Sequence, residues 1–354
     1  MLHAKRLLSA LSVRRMPSNT RRNILEAISV LTCKKMLQGS FASGRYTSTV
    51  LFVLSMLVIQ AAHWLPATSV SILQPDVPEF MNGIVSRVVS VLIYFFSALL
   101  LSRQAFFDRG VRWKGALYLW IVAVSTFVNG NPTIAFSSLL FLLSIILLLL
   151  CQYSGNSVTP LYTSFFLLGV LSFVTPYSLY FIPLHLTFCS MANMLSARGV
   201  AASILGLVTP FWLVMGTMYV FPDANALIEP FANGVSQLFD VNFQNFTVLH
   251  LLLLLFVLIV LLPAIFTFVG STSPAKPLLR RRISFMIVAN VYLLLLFCIV
   301  TDASGLFYMC QLPCVAILAS YLFAKKETKL SNMYFVLVNL IMLAIATQSI
   351  WLIL

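Results

Sequence analysis

The chain contains little charge. Of its 354 residues only 9% are Asp, Glu, Lys or Arg, whereas 60% are hydrophobic and the mean hydropathy is +0.99. A water-soluble globular protein needs a polar shell that this composition does not supply. The sequence therefore predicts a membrane protein. At about 20 apolar residues per crossing helix, its length suffices for roughly ten spans joined by short connections.

Sequence motifs of common cofactor and metal sites are also missing. The six cysteines form no Cys-x-x-Cys pair and most lie in apolar runs, which is typical of small buried side chains rather than of a disulfide framework. The four histidines have neither His-x-x-His nor His-x-x-x-His spacing, so no metal site is predicted. The sequence also lacks a glycine-rich phosphate loop and leaves any cofactor unknown.

Acidic residues are few, nine against 22 Lys and Arg, and the net charge is +13. When the apolar runs are drawn as alternating spans, every Lys and Arg except Arg87 falls on one side, which the positive-inside rule makes cytoplasmic. These cations are dispersed over short loops, without the compact basic surface of a nucleic-acid-binding domain. We therefore expect anionic membrane lipid, and no nucleic acid, as the partner of the basic residues.

The apolar runs predict an all-α fold, a polytopic transmembrane helix bundle of about 11 spans within residues 47–354. Two long runs, Ala116–Cys151 and Leu161–Leu195, are interrupted by turn signals at Asn129–Pro132 and Thr175–Pro176, and each is interpreted as two crossing helices. If both were single bent helices, the count would fall to nine. In either case the N-terminus is predicted to be cytoplasmic and the C-terminus outside. The other predicted spans are about 47–65, 82–102, 203–221, 248–270, 285–301, 306–324 and 333–354.

Residues 1–46 are predicted to form a basic cytoplasmic tail. Ile24, Ile28 and Leu31 recur at helical spacing, which favours a short amphipathic helix on anionic headgroups. Two alternatives remain open, an organelle transit peptide and a true translation start at Met36.

Three charged residues are candidate catalytic groups. Arg87 lies about 8 Å inside its predicted span, where it either snorkels to the outer headgroups or holds an anionic group such as a pyrophosphate. Asp76 and Glu79 lie in the first outer loop, which two prolines stiffen. This arrangement loosely resembles membrane glycosyltransferases that use polyprenyl-linked sugars, and that resemblance implies acidic catalysis in the loop. Ordinary solvated carboxylates are the alternative.

A second set of residues suits substrate binding. Asn129 and Asn131 occupy a turn between two short helices, and broken helices line the cavities of many transporters. His185 lies near the middle of an apolar arm, and His250 lies near the outer end of another span. The alternatives are packing kinks and, for His185, a hydrogen-bonded core residue.

From Met36 onward the chain resembles a family of bacterial inner-membrane proteins with many spans and no assigned function. The likeness is carried by Met36-Leu37, by Asn131-Pro132 opening an apolar span, by Leu167–Phe173 leading to Tyr180 and Pro183, and by Arg198 followed by Leu205–Pro210. The resemblance implies a bacterial inner membrane rather than an organelle membrane. It supplies no catalytic residues.

Three functions fit this architecture: an enzyme acting on a lipid-linked substrate at the outer leaflet, a transporter of a small solute, and a structural or assembly subunit of an envelope complex. The sequence favours the enzyme over the transporter because of Arg87, and it leaves open whether the chain is an enzyme at all. Protein partners remain unknown.

The predicted sidedness can be tested with reporter fusions. A phosphatase that is active only outside the cytoplasm should be inactive when fused after Arg282 and active when fused after Asp240, because Arg280–Arg282 stay on the side of synthesis. A fluorescent protein that folds only in the cytoplasm should give the opposite pattern. Phosphatase activity after Arg282 would overturn the map.

Overall fold

The computed structural model describes residue 55 and residues 79–103, 114–125, 131–151, 158–220, 229–238, 248–269, 277–325 and 332–342. Within these residues the regular structure is helical and no strand occurs, which confirms the all-α prediction for them. The basic tail, and the first predicted span except Ser55, lie outside the described residues.

The α-helices, in chain order, are α1 (Glu79–Arg103), α2 (Lys114–Val124), α3 (Pro132–Cys151), α4 (Val158–Val174), α5 (Phe181–Met191), α6 (Ala197–Val220), α7 (Glu229–Gln237), α8 (Val248–Val269), α9 (Pro277–Ile299), α10 (Ser304–Lys325) and α11 (Asn332–Met342). Two short 3-10 helices, Pro176–Tyr180 and Thr301–Ala303, precede α5 and α10.

Six of the described helices, α1, α3, α6, α8, α9 and α10, are long and apolar enough to cross a membrane. The apolar helices α2, α4 and α11 are shorter, and α5 has only 11 residues. The short helices belong to the two runs that were predicted to be divided, except α11, whose predicted continuation lies outside the described residues.

Helix α10 is the axis of the bundle. The segment Thr301–Phe323 is 94% buried, because α2, α3, α8 and α9 all pack against α10. By comparison, only 28% of α6 is buried. Side-chain hydrogen bonds accompany this packing. The Ser138 hydroxyl donates to the Met309 carbonyl over 3.1 Å, and the Ser125 and Tyr308 hydroxyls are 2.9 Å apart.

Both predicted helix breaks occur. At the first, α3 begins with Pro132 at its first turn, and the Asn131 side chain accepts a hydrogen bond from the Thr133 backbone N–H at 2.9 Å. At the second, the chain reverses direction. The rings of Phe165 and His185 show this, since these residues lie ten positions before and after Thr175 and their ring centroids are 5.7 Å apart. Thus α4 and α5 form the predicted hairpin.

Small residues allow α4 and α6 to approach closely. The backbone of Gly169 faces Leu207 and Pro210, and Gly206 faces the Tyr162 carbonyl and Phe165. Glycine at such contacts removes the side chain that would hold two backbones apart, a common device between membrane helices. The contacts advance in the same direction along both helices, so α4 and α6 run parallel.

Loops that were predicted to lie on the outer side meet at one end of the bundle. Gly234 of α7 lies against Pro176 of the α4–α5 turn, and the Tyr180 hydroxyl donates to the Leu238 carbonyl. The Phe307 ring, beside the α9–α10 turn, packs on Tyr180 with centroids 6.2 Å apart. These contacts agree with the predicted alternation of the helices from α4 to α10.

The close approach of α4 and α6 predicts a contrast between two glycines of the same helix. Gly206→Ala should destabilise the protein by about 1–3 kcal/mol, because the new methyl group overlaps the Tyr162 carbonyl. Gly216→Ala is the matched control, since its methyl group would enter open space and alanine favours a helix by up to about 1 kcal/mol. Thermal unfolding of the two purified variants in detergent measures the difference. Equal melting temperatures would contradict this account of the helix contact.

Candidate functional site

A buried polar centre lies where α3, α4 and α5 meet. It consists of His185 on α5, Ser144 on α3 and Ser164 on α4, and the exposed fraction of each is 0%. The three side chains come from three consecutive helices, and the break at Thr175–Pro176 separates α4 from α5. The approach of His185 to the two serines therefore depends on that break.

Hydrogen bonds connect the three residues. The Nε2 atom of His185 is 3.0 Å from the Ser144 hydroxyl, and its Nδ1 atom is 3.0 Å from the Phe181 carbonyl oxygen. The Ser164 hydroxyl donates to the Ser144 carbonyl at 2.9 Å. Both ring nitrogens thus have hydrogen-bond partners, and His185 is a buried, hydrogen-bonded residue of the core.

The centre lies at mid-depth in the bundle. At 1.5 Å per residue, Ser144 is about 18 Å along α3 from Pro132, and Ser164 is about 15 Å along α4 from Val174. His185 is about 16 Å from Thr175, counting the 3-10 turn at about 2 Å per residue. Because α3 has 20 residues and is about 30 Å long, these distances place the three polar side chains near the middle of the bundle.

Aromatic rings enclose the imidazole. The centroids of Phe165 and Phe141 are 5.7 and 6.2 Å from that of His185, both in edge-on arrangements, and Phe141 packs on Phe181 at 4.5 Å. Together with the surrounding helices, these rings leave the three polar side chains with no exposed surface. Polar atoms inside such an enclosure interact strongly with one another because the local dielectric constant is low.

Charged side chains are absent from this level of the surrounding helices, as far as the structure describes them. On α9, which runs antiparallel to α5, the basic run Arg280–Arg282 lies at one end, and Asp302 lies beyond the other end. The described residues also contain no group of three or more His, Cys, Asp or Glu side chains able to hold a metal ion.

Asn131, a predicted substrate-binding residue, has a structural role as the N-cap of α3. Asn129 lies outside the described residues, and His250 is described only in its backbone, within the first turn of α8. Of the two substrate-binding candidates whose side chains are described, His185 lies in the polar centre and Asn131 does not.

Of the predicted catalytic residues, Arg87 alone has a described side chain. It is half-buried on α1, at the boundary between a buried face containing Ser86 and Ser90 and an exposed stripe formed by Val88 and Leu92. Glu79 begins the same helix, about 12 Å away along its axis, with only its backbone described. Asp76 lies outside the described residues. The convergence of the three residues stays a prediction.

Sequence reasoning missed Ser144 and Ser164. The seven-residue interval between Ser137 and Ser144, which places both on one face of α3, was the available signal. Ser137 is 3.4 Å from the Thr175 hydroxyl at the hairpin turn, so this face of α3 carries polar contacts at two depths.

The comparisons with known proteins add no assignment: no protein-family model, curated protein or solved structure matches the chain.

The capping role of Asn131 is testable separately from any substrate contact. Asn131→Ala should lower the free energy of unfolding by about 1 kcal/mol, because the Thr133 N–H loses its acceptor. Serine caps a helix about as well as asparagine, so the free energy of unfolding of Asn131→Ser should stay within a few tenths of a kcal/mol of that of the original protein. Thermal unfolding in detergent distinguishes the two. If the alanine variant were as stable as the unmodified chain, Asn131 would not act as a cap.

Proposed function

We propose that the chain is a bacterial inner-membrane protein with about 11 crossings, a cytoplasmic N-terminus and an external C-terminus. Three observations support this topology. Ten of the predicted spans correspond to described apolar helices, the loops predicted to be external meet at one end of the bundle, and the basic loops alternate with loops that lack Lys and Arg. The resemblance to many-span bacterial proteins supports the inner membrane as the location.

We further propose that the protein transports a small solute through the region between α3, α4 and α5. The observation that carries this proposal is the His185, Ser144 and Ser164 centre, buried at mid-depth. An ionisable side chain within a membrane is costly to bury and commonly marks a substrate or ion pathway. Here it lies beside interrupted helices, as in transporters whose binding sites form near the membrane midplane.

The enzyme hypothesis depends on Arg87 acting with Asp76 and Glu79. The half-buried position of Arg87 on α1 suits both a ligand contact and snorkelling. The convergence of Asp76 and Glu79 on Arg87 stays a prediction, because the side chains of the two acids lie outside the described part of the chain. A purely structural role for His185 is the other alternative, since its hydrogen bonds are complete.

Transport can be measured with the purified chain in liposomes, using a panel of labelled amino acids, sugars, nucleosides and organic acids. At least one should accumulate, and His185→Gln should abolish accumulation, because glutamine is polar but does not carry the exchangeable ring proton. Ser138→Ala is the matched control. Ser138 is a buried serine on the same helix as Ser144, and its hydroxyl bonds to α10 instead.

Two results would contradict the proposal. Full accumulation by a folded His185→Gln variant would leave His185 with only a structural role. If Arg87→Ala abolished an envelope phenotype of the protein in cells and His185→Gln left that phenotype intact, the outer-leaflet enzyme would be favoured.

A further inference from the structure

The Phe181 carbonyl determines which ring nitrogen of His185 carries the proton in the neutral state. A carbonyl oxygen only accepts hydrogen bonds, and it lies 3.0 Å from Nδ1. Nδ1 must therefore be protonated. In a neutral imidazole, Nε2 is then an acceptor and needs a donor.

Ser144 has two possible partners for its single hydrogen. Its Oγ is 3.0 Å from His185 Nε2 and 2.8 Å from the Phe141 carbonyl oxygen. When the ring is neutral, the hydroxyl donates to Nε2, because otherwise two lone pairs would face each other. The Phe141 carbonyl then also keeps its backbone interactions within α3.

A second proton on the ring reverses this arrangement without moving heavy atoms. A new N–H bond forms at Nε2 and donates to Ser144 Oγ, and the serine hydroxyl rotates so that its hydrogen bonds to the Phe141 carbonyl. The proton comes from water that reaches the site, and no other covalent bond of the protein forms or breaks. Every donor has an acceptor in both states, which is what a site that gains and loses a proton requires.

Other buried serines of the described residues have different partners. Ser164 donates to the Ser144 carbonyl and Ser138 donates to the Met309 carbonyl, whereas Ser125 is 2.9 Å from both the Ile121 carbonyl and the Tyr308 hydroxyl. Ser144 differs from Ser125 because its second partner is an imidazole, which can take up a proton, rather than a phenol.

The surroundings of His185 favour the neutral ring while the site is closed. Phe141, Phe165 and Phe181 exclude water, and burying an unpaired charge is costly. A second proton on the ring therefore requires that water reach the site. This is the sequence of events by which a carrier moves a proton between the two sides of a membrane.

The titratable groups on the packed elements are few. On α5 itself Cys189 lies one turn beyond His185, and on α3 Cys151 lies two turns beyond Ser144. On α4 the Tyr162 hydroxyl is bonded to Thr209 of α6. On α9 Tyr292 donates to the Tyr180 carbonyl above the site, and Arg282 lies near the opposite end of α5. No carboxylate is described at the depth of His185, so solvent access is the main control on its charge.

We propose that His185 Nε2 binds and releases the proton whose movement is coupled to solute transport, with Ser144 as its hydrogen-bond switch. This inference rests on the transporter proposal of the preceding section. It adds that the coupling ion is a proton, and it names the atom that holds it.

Nitrogen NMR of the full chain in lipid bilayers tests the site directly. His3→Gln, His63→Gln and His250→Gln leave His185 as the single labelled histidine. At about pH 8 the ring should be neutral with its hydrogen on Nδ1, and acidification toward about pH 5 should add a second hydrogen at Nε2. A neutral ring protonated on Nε2, or the absence of a second proton, would overturn the proposal.

Ser144→Ala in the same background tests the switch. The charged ring loses its acceptor and the neutral ring loses only a donor, so the second proton should bind at a pH lower by about one unit. Ser138→Ala, the matched control, should leave the transition in place. Equal behaviour of the two variants would overturn the role of Ser144.

Transport measurements separate this inference from the proposed function. If liposomes accumulate a solute regardless of an imposed pH gradient, the transporter proposal stands and the proton proposal fails. If His185 titrates as expected but none of the solutes tested moves, proton binding stands and the transporter proposal fails.

Discussion

The structure depends on the fact that a membrane interior contains no water to satisfy polar groups. A buried hydroxyl, ring nitrogen or backbone group that is left unpaired there is costly, so a partner within the bundle stabilises the fold. In the core this requirement links helices that are distant in the chain, as in the bond between Ser125 and Tyr308 and the bond between Ser144 and His185. These polar contacts thus fix the register between helices whose other contacts are apolar.

The same requirement explains why the helix breaks occur where they do. A chain can interrupt a membrane helix only where its freed backbone groups are paired again. Asn131 pairs them at the start of α3, and at the α4–α5 turn the Ser178 N–H bonds to the Thr175 carbonyl while Tyr180 bonds to the end of α7. The break at Thr175 ends α4 and lets the chain turn back, so that a histidine ten residues past the turn reaches the middle of the bundle.

Two helix contacts of this fold are built differently. The α4–α6 contact is built around glycine, with a side-chain hydrogen bond between Tyr162 and Thr209, whereas the α3–α4–α5 contact is built around serine and histidine. Helix α6 then presents large apolar side chains outward, with Trp212 and Tyr219 among the most exposed. The ionisable centre is therefore enclosed by the inner helices, and α6 forms part of the apolar exterior.

The sequence by itself determined the class of fold, the helix breaks and a predicted sidedness, because composition, proline and asparagine turns, and the distribution of Lys and Arg act locally or through the insertion process. It also identified His185 as a titratable residue within an apolar arm. It did not identify Ser144 or Ser164, which are 41 and 21 residues from His185. Serine is common in helices, and only the folding of three helices onto one another decides which serine hydroxyl meets the ring. Only the tertiary structure brought these groups together. Their contact depends on the direction and rotation of each helix, and a helix that is apolar on all sides does not show in its sequence which face meets which neighbour.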